Sequence, residues 1–403
     1  MAKASGMGDG AVCPGCGGRR TWGFYEVGGV PVHSVLQMRT REMAVGYARG
    51  DIRLMFCEGC GFVFNGAYDG GLLAYGGECE EGQGFSATFG AFHRRLAEHL
   101  VERYGLRGKR ILEIGCGKGD FLTLLCELGG NEGVGYDPAY VAGRFPEPRR
   151  GRAVFVAEDF TAASEVGSVD FVCCKMTLEH IEQTGAFAEM VAGALGGRGE
   201  AVVFFQVPET ERVFGEGAFW EVYYEHSSYF GRASLRAVFE RAGFVVEEVW
   251  VDYGGQYLML SARVGGGQGE RGAVERDEGA ALGAMRAAVE RFAEEGPTRV
   301  AVWREYFAEA HGRGEKVVLW GSSSRTVSFL TTLGLVEEVE YVVDINPYRQ
   351  GTYMAGTGQA IVGPEFLREY RPGVVVVMNP IYRTEIEGSL RELGVEARVK
   401  TVE

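Results

Sequence analysis

Short apolar runs alternate with amphipathic segments through the middle and the end of the chain. Apolar residues recur at helical spacing over 91–104. From residue 110 onward, β-branched runs alternate with helical stretches, and a second unit of the same kind begins at residue 316. Such alternation is typical of parallel, doubly wound sheets, so we predict two α/β units. Strands are expected at 110–114, 133–137, 153–156, 169–174, 200–206, 316–321, 339–345 and 373–378.

The same pattern divides the chain into three parts. A glycine-rich stretch at 265–272 separates the two α/β units, and residues 278–311 after it follow a helical period. The start of the chain is different, because short strands there surround two cysteine pairs. We therefore expect a metal-binding domain at 1–75, an α/β domain at 76–265, and a helical linker with a smaller α/β domain at 266–403.

Composition excludes several classes of protein. The formal net charge is −14, and no basic stretch of five or more residues occurs, so nucleic acid is not an expected partner. No run of about 18 apolar residues predicts a membrane span, and the first ten residues lack the apolar core of a signal peptide. Nine cysteines, an odd number, suit a reducing compartment. We expect a cytoplasmic protein that is a monomer or a small homo-oligomer.

The clearest chemical signal is a glycine-rich turn between a predicted strand and a predicted helix. Residues 113–119 read GluIleGlyCysGlyLysGly, and glycines there let a ligand approach the backbone amides. Asp137 ends the next predicted strand, where a carboxylate can accept hydrogen bonds from both ribose hydroxyls. Asp159 and Phe160 follow the third strand.

This ordered set resembles the class I methyltransferases that use S-adenosylmethionine (SAM). The resemblance implies a Rossmann-like, doubly wound fold, with Asp137 at the ribose and Asp159 and Phe160 at the adenine. A nicotinamide-binding domain is the alternative, but the motif lacks the Gly-x-Gly-x-x-Gly spacing of that class. The methionine end of SAM would be held by Glu113, Gly115, Gly117 and Gly119.

Two Cys-x-x-Cys pairs near the start predict a zinc site. The ligands would be Cys13, Cys16, Cys57 and Cys60. Four thiolates close a tetrahedral site and leave no position for a metal-bound water, so the site is expected to be structural. Packed thiols or redox pairs are the alternative. The other cysteines are interpreted as small buried hydrophobic residues: Cys79, Cys116, Cys126, Cys173 and Cys174.

In order along the chain, these features resemble the sugar C-methyltransferase family of antibiotic deoxysugar pathways. Two further segments carry the resemblance: TyrTyrGluHisSerSerTyrPhe at 223–230 and ValValAspIleAsnProTyrArgGlnGlyThrTyr at 342–353. By match, Tyr223, Glu225 and His226 fall on the family's active-site positions, whereas Tyr224 replaces a histidine. The family implies a nucleotide-linked keto sugar as substrate.

Methylation at carbon requires a carbon nucleophile, which a 4-keto sugar provides once a base removes the proton next to its carbonyl. His226 is the candidate base. Tyr223 and Glu225 would orient that base or bind the developing oxyanion. His180, which follows the fourth strand, is a second candidate for substrate contact, because ligands bind at the carboxyl edge of such a sheet. The substrate is expected between the middle and C-terminal domains.

One departure from the family bears on the substrate. Relatives carry His-Gly-Gly-Ser-x-Arg in the strand that corresponds to 253–258, where this chain has Tyr253, Gln256 and Leu258. A cation that would face a sugar diphosphate is therefore missing. Arg325, in the turn GlySerSerSerArg, can compensate, or it can be an exposed arginine in a tight turn. An O- or N-methyltransferase acting on a non-sugar metabolite and a non-catalytic SAM-binding module are the alternative functions.

Overall fold

Three β-sheets, of four, seven and five strands, make up the described part of the chain. The computed structural model describes the backbone of 271–278 but not their side chains. The glycine-rich linker expected at 265–272 lies largely outside the described residues, which do not include 266–270. No described helix is both long and apolar enough to cross a membrane. The described residues are 10–164, 167–196, 200–265 and 271–402.

The first sheet is antiparallel and carries the cysteine pairs. Its strands are β1 (Thr21–Pro31), β2 (Arg49–Cys57), β3 (Val63–Asn65) and β9 (Ser228–Tyr229), in that order across the sheet. Helix α1 (Arg41–Val45) begins after Thr40, whose side chain accepts a hydrogen bond from the Met43 amide. Because β9 follows the segment 223–226 directly, its pairing with β3 ties that segment to the first sheet.

The middle sheet is mixed and has the order β10-β11-β8-β7-β4-β5-β6. The five strands from β8 to β6 in that order are parallel, whereas β11 runs antiparallel to both β8 and β10. The strand predicted at 110–114 is confirmed at both ends. The strands are β4 (Arg110–Ile114), β5 (Glu132–Tyr136), β6 (Arg152–Val156), β7 (Phe171–Lys175), β8 (Val202–Pro208), β10 (Phe244–Asp252) and β11 (Tyr257–Val264).

Helices flank this sheet on both faces. The helix predicted at 91–104 begins earlier, because Ser86 caps it by accepting a hydrogen bond from the Phe89 amide. Chain order reverses at β4, since the strands that follow it lie first on one side and then on the other. In doubly wound sheets ligands bind at this reversal. The helices are α2 (Ala87–Arg103), α3 (Asp120–Gly129), α4 (Thr184–Ala194), α5 (Thr210–Gly215) and α6 (Arg232–Arg241).

The segment 253–258 corrects one expectation. It was predicted to be a strand, but residues 253–256 form the turn between β10 and β11. Tyr253, Gly254 and Gly255 all have positive φ, between 52° and 86°. Two adjacent glycines accept this conformation readily, so the chain reverses there.

The third sheet is entirely parallel, with the order β14-β13-β12-β15-β16. Its strands are shorter than predicted; the first ends at Trp320 because Gly321, at φ 105°, turns the chain out of the sheet. The strands are β12 (Val317–Trp320), β13 (Tyr341–Val343), β14 (Ala360–Val362), β15 (Val374–Val377) and β16 (Arg398–Thr401). The helices are α7 (Arg271–Gly312), α8 (Ser324–Leu333), α9 (Leu367–Tyr370) and α10 (Arg383–Leu393).

Aromatic side chains pack the first sheet against helices from the middle and the end of the chain. Phe24 from β1, Phe214 from α5 and Phe292 from α7 meet edge to face, with ring centroids 5.2 to 6.2 Å apart. Phe219, just after α5, stacks on Phe329 of α8 with 5.7 Å between centroids. The segment leading to residue 223 is therefore packed against elements from both ends of the chain.

Candidate active site and cysteine cluster

The four cysteines of the predicted metal site meet at one end of the first sheet. Cys13 Sγ lies 3.7 Å from Cys60 Sγ, and Cys16 Sγ lies 3.7 Å from Cys57 Sγ. All four sulfur atoms lie within 4.8 Å of one another. Tetrahedral Zn–S bonds of about 2.3 Å require sulfur atoms about 3.8 Å apart. The donor set and its spacing therefore fit a zinc ion.

The remaining five cysteines are all buried, as expected of small hydrophobic residues. Cys116 lies within the glycine-rich turn and contacts the carbonyl of Gly117. Cys79 differs from the others, because its sulfur lies 3.6 Å from His33 Nε2.

The glycine-rich turn is held tightly between β4 and α3. Gly115 has φ +70°, and a Cβ there would lie 1.9 Å from the Thr177 hydroxyl oxygen. Gly119 has φ +89°, and a Cβ there would lie 2.6 Å from the Phe155 ring. No side chain fits at either position, so the backbone of the turn packs closely against its neighbours. The amides of Gly115 and Gly119 donate to the carbonyls of Tyr136 and Cys116.

Asp137 stands beside this turn. Its carboxylate accepts hydrogen bonds from the amides of Gly117 and Ala139, both at 2.7 Å. Burial raises the pKa of Asp137, and these two amides oppose that rise. A carboxylate oxygen has two lone pairs, so each oxygen can accept one further bond from a ligand hydroxyl. Phe160 is buried beside Tyr136, edge to face at 5.6 Å, whereas Asp159 is exposed.

Glu113 lies at the end of β4, buried beneath the turn. Its Oε2 has no hydrogen-bond partner, and burial raises its pKa to about 8 against the attraction of Lys175. Lys175 Nζ lies 2.9 Å from Nε2 of His93. Burial and the Lys175 charge lower the pKa of His93 to about 2, so His93 is a neutral acceptor. An orphaned buried carboxyl oxygen suits a ligand ammonium group.

Lys175 and His93 were not among the residues predicted from sequence. His93 falls on the buried face of α2, where it is indistinguishable by pattern from a core residue. Lys175 is the last residue of an otherwise apolar strand that ends ValCysCysLys. A cation at the carboxyl end of a buried strand is the feature of the sequence that could have indicated a site residue.

The predicted catalytic residues come together at the same edge of the middle sheet. The rings of Tyr223 and His226 lie 4.2 Å apart, and those of His180 and His226 lie 5.0 Å apart. His226 lies in a loop, as predicted, but only 4% of it is exposed. Burial, followed by the charges of His180 and Arg325, lowers its pKa well below the ordinary value. His226 is therefore neutral near neutral pH, and one of its ring nitrogens is a hydrogen-bond acceptor.

Glu225 does not orient His226 with its side chain. Its carboxylate contacts His33 and Ser34, and only its backbone carbonyl reaches the histidine pair, 3.0 Å from His180 Nδ1. A carboxyl oxygen of Glu179 lies within 4.8 Å of one ring nitrogen of His180 and one ring nitrogen of His226. Glu179 is buried, and neither of its oxygens has a hydrogen-bond partner among the described residues.

Tyr75 completes this group from the other side. Its hydroxyl lies 3.0 Å from His180 Nδ1. Tyr75 and Glu179 were not predicted as site residues: Tyr75 falls at the expected domain boundary, and Glu179 was visible only as part of LeuGluHisIle.

The C-terminal domain contributes Arg325 to this region. Its guanidinium donates to Glu221 at 2.8 Å and to the Gln256 side chain at 2.9 Å. Arg325 is neither exposed nor free, since its side chain is 17% accessible and Glu221 neutralises it. The interpretation of an exposed arginine in a tight turn is therefore wrong. Arg325 lies against Gln256, one of the departures from the family's cationic motif.

Comparisons with known proteins agree with this arrangement. Residues 89–249 match a methyltransferase domain family, and residues 271–398 match a C-methyltransferase C-terminal domain. The C-methyltransferase NovU of Streptomyces niveus is 26% identical over 313 residues, which cover 74% of this chain and 73% of NovU.

Solved structures resemble the middle of the chain. Magnesium protoporphyrin IX methyltransferase from Synechocystis PCC 6803, with bound SAH, is 16% identical and covers 44% of this chain and 84% of its own (TM-score 0.34). The 1,6-didemethyltoxoflavin-N1-methyltransferase of Burkholderia thailandensis is 18% identical and covers 43% and 79% (TM-score 0.33).

The order of the middle sheet, its glycine-rich turn and its family match define a class I, SAM-dependent methyltransferase. The nicotinamide and non-catalytic interpretations are therefore set aside. The C-terminal third of the chain matches a C-methyltransferase C-terminal domain, and this match together with the similarity to NovU supports a SAM-dependent C-methyltransferase family.

Proposed function

We propose that the enzyme methylates a carbon next to the ketone of a nucleotide-linked keto-deoxysugar, in the biosynthesis of an antibiotic-type metabolite. The observation that carries this proposal is the neutral, buried His226, with Tyr223 and His180 on either side, at the ligand-binding edge of the middle sheet. A methyltransferase acting on oxygen or nitrogen needs little more than proximity, whereas one acting on carbon needs a base placed in this way.

His226 removes the proton next to the carbonyl, which leaves an enolate. The hydroxyls of Tyr223 and Tyr75 lie in this region and donate hydrogen bonds to the developing oxyanion. The neutral ring of His180 donates its Nδ1 proton to the backbone carbonyl of Glu225. Burial raises the pKa of Tyr223, so its hydroxyl keeps the proton that it donates. Burial raises the pKa of Glu179 to about 8, so near pH 7 its carboxyl group is mostly protonated and adds no negative charge beside His226. SAM supplies the electrophilic methyl group that the enolate carbon attacks.

SAM is held at the adjoining edge of the sheet. Glu113 receives the ammonium group of its methionine part, and Asp137 receives the ribose hydroxyls. The exposed Asp159 and the buried Phe160 are assigned to the adenine. Gly115, Gly117 and Gly119 complete this site, because a turn without side chains at these positions lets SAM approach the backbone closely.

Zinc in this proposal has a structural role. Cys13, Cys16, Cys57 and Cys60 occupy all four positions of a tetrahedral site, so no position is left for substrate or water. The ion would hold the end of β2 to the segment before β1 and so fix the first sheet. We retain the division 1–75, 76–265 and 266–403 as part of the proposal.

The nucleotide part of the substrate is assigned to the cleft between the middle and C-terminal domains. Arg325 is the cation at this cleft, in the first turn of α8. Glu221 also binds Arg212, at 3.3 Å, so Arg325 can turn toward a diphosphate without leaving Glu221 unpaired.

Solvent deuterium tests the reaction. The enzyme is incubated in deuterated buffer with SAH and a panel of nucleotide-linked 4-keto-deoxysugars, and hydrogen exchange next to the ketone is followed by mass spectrometry. Carbon methylation predicts exchange that is lost in His226→Gln. Methyl transfer from SAM without any such exchange favours an O- or N-methyltransferase. Turnover of a non-sugar ketone but of no nucleotide sugar would contradict the substrate class while leaving the chemistry intact.

A further inference from the structure

Glu225 is the point at which all three domains meet. Its Oε1 lies 2.8 Å from Nδ1 of His33, which follows β1. Its Oε2 is bonded to the Ser34 hydroxyl, which lies 2.7 Å from the hydroxyl of Ser324 in the C-terminal domain. On the far side of the His33 ring, Nε2 lies 3.6 Å from Cys79 Sγ. His33 is 0% exposed and Glu225 is 2% exposed.

A carboxylate in such a place requires compensation. An ionised group removed from water is strongly disfavoured unless it is paired and hydrogen-bonded. Of the described side chains near the Glu225 carboxylate, His33 is the one that makes an ion pair with it. Although burial acts against charge on the ring, the contacts with Cys79 and Glu225 raise the pKa of His33 to about 10.

The place of Glu225 in the chain links the His33–Glu225 pair to the catalytic residues. Glu225 lies between Tyr223 and His226 in the chain, so its orientation determines that of the whole segment 223–226. The backbone carbonyl of Glu225 also lies 3.0 Å from His180 Nδ1. A carboxylate held by His33 therefore fixes the peptide that places both histidines of the active site.

We propose that His33 is a positioning residue: as an imidazolium ion it holds the Glu225 carboxylate, and through it keeps His226 and Tyr223 in the orientation used for catalysis. The proposal rests on the proposed function for the role of His226. The proposal gives the N-terminal domain, which holds the four-cysteine cluster, a part in catalysis. His33 follows β1 of that domain, and β1 is fixed by its pairing with β2.

Other groups that face this pair also enter the test. The ring of Tyr75 lies 5.1 Å from that of His33, and the Arg349 guanidinium lies 3.5 Å from the Ser34 carbonyl. The charges of His33 and Glu225 also act on His180, in opposite directions. The titratable and charged groups around the pair are Tyr47, Tyr75, Cys79, His180 and Arg349.

The first measurement needs no variant and no substrate. Nitrogen-15 NMR of the imidazole rings is recorded on the full-length, zinc-loaded protein at about pH 8, where an ordinary histidine is neutral. We expect His33 to carry protons on both nitrogens. A neutral His33 ring overturns the proposal, whatever the substrate proves to be.

The second measurement uses His33→Gln, with His99→Gln as the matched control. We expect His33→Gln to shift the ring resonances of His226 and to lower kcat by roughly 10²-fold, the scale expected for a misplaced catalytic group, without changing the affinity for SAM. The loss in the double variant His33→Gln/Glu225→Gln should be no greater than in Glu225→Gln, because the two residues act as one unit.

The outcomes separate this proposal from the proposed function. Wild-type protein that turns over no keto sugar contradicts the function, and the ring resonances of His226 then decide whether His33 positions the loop. Unchanged His226 resonances, or full activity, in His33→Gln overturn the proposal. A third outcome also overturns the proposal. If kcat and the affinity for SAM both fall in His33→Gln while the pH–rate profile stays that of wild type, the substitution has caused general structural damage.

Discussion

Arg325 Nη2 lies 2.9 Å from the side-chain oxygen of Gln256. This contact joins the start of α8, in the C-terminal domain, to the turn between β10 and β11 of the middle sheet. Gln256 is also hydrogen-bonded to Asn379, at 2.9 and 3.0 Å. Residues from two separate parts of the C-terminal domain therefore contact Gln256. Relatives place a cationic residue in the segment 253–258 itself. Here the cation reaches the same place from another domain.

This relationship predicts the effect of Arg325→Gln. Loss of one charge-assisted contact to a diphosphate, about 1.5 to 3 kcal/mol, should raise KM for a nucleotide-linked keto sugar by roughly 10- to 100-fold. The affinity for SAM should not change, because Arg325 lies outside the cofactor residues. Steady-state kinetics and calorimetry measure the two effects. The exposed Arg368 supplies the control Arg368→Gln. An unaltered KM in Arg325→Gln would remove Arg325 from the substrate site.

The cysteine cluster predicts about one zinc per chain. Stripping the metal from protein prepared without chelators should cost several kcal/mol of stability, because the ion cross-links the end of β2 to the segment before β1. Cys13→Ser should lose the metal, whereas Cys126→Ala, which alters a buried cysteine remote from the cluster, should keep it. Metal analysis and thermal unfolding follow both effects. Well-folded protein with zinc far below one per chain would refute the site.

Asp137→Ala should weaken SAM binding by about 1 to 3 kcal/mol, because the ribose hydroxyls lose a charged acceptor. Glu132, exposed at the other end of the same strand, supplies the control Glu132→Ala. Isothermal calorimetry measures both affinities. Equal affinity for SAM in the two variants would contradict the assignment of Asp137 to the ribose.

Glu113 is expected to release a proton when SAM binds. In the free protein burial raises its pKa to about 8, so near pH 7 the folded state holds a proton that the unfolded state has released. Stability of the free protein therefore falls as the pH rises between the ordinary pKa of 4.5 and about 8. The SAM ammonium favours the ionised carboxylate, so binding should release a proton and tighten as the pH rises from about 6 to about 7.

Calorimetry in buffers of different ionisation enthalpy counts that proton. Glu113→Gln should bind SAM more weakly and release no proton, since the amide cannot titrate. Proton release that persists in this variant would assign the linkage to another group, with Asp120 and Asp137 the nearest candidates.

His226→Gln should lower turnover by roughly 10² or more, the scale of a lost general base. Because His226 is 4% exposed, the amide is preferred to alanine, which would open a cavity. Tyr223→Phe should cost less, since it removes one hydroxyl. Kinetics are compared with the melting temperature, which should stay within a few degrees of wild type. Stability and activity that fall together would make His226 a structural residue.

The sequence alone determined the parts of this protein that depend on local pattern. Strand β4 was predicted residue for residue, and Glu113, the glycines and Asp137 were found together because a parallel strand, a turn and a helix are adjacent in the chain. The two cysteine pairs were found for a related reason, since each pair is a local motif and four thiols have few other uses in one small domain.

Only the tertiary structure decided which side chains complete the active site. His33 and Glu225 are nearly 200 residues apart, and nothing in the local pattern around either one indicates that they form a pair. Tyr75, Lys175 and Arg325 likewise reach their partners from separate elements. Local pattern reflects spacing within one helix or strand, whereas the partner of a buried charge is determined by how those elements pack, so the direction of the Glu225 side chain could be read only from the fold.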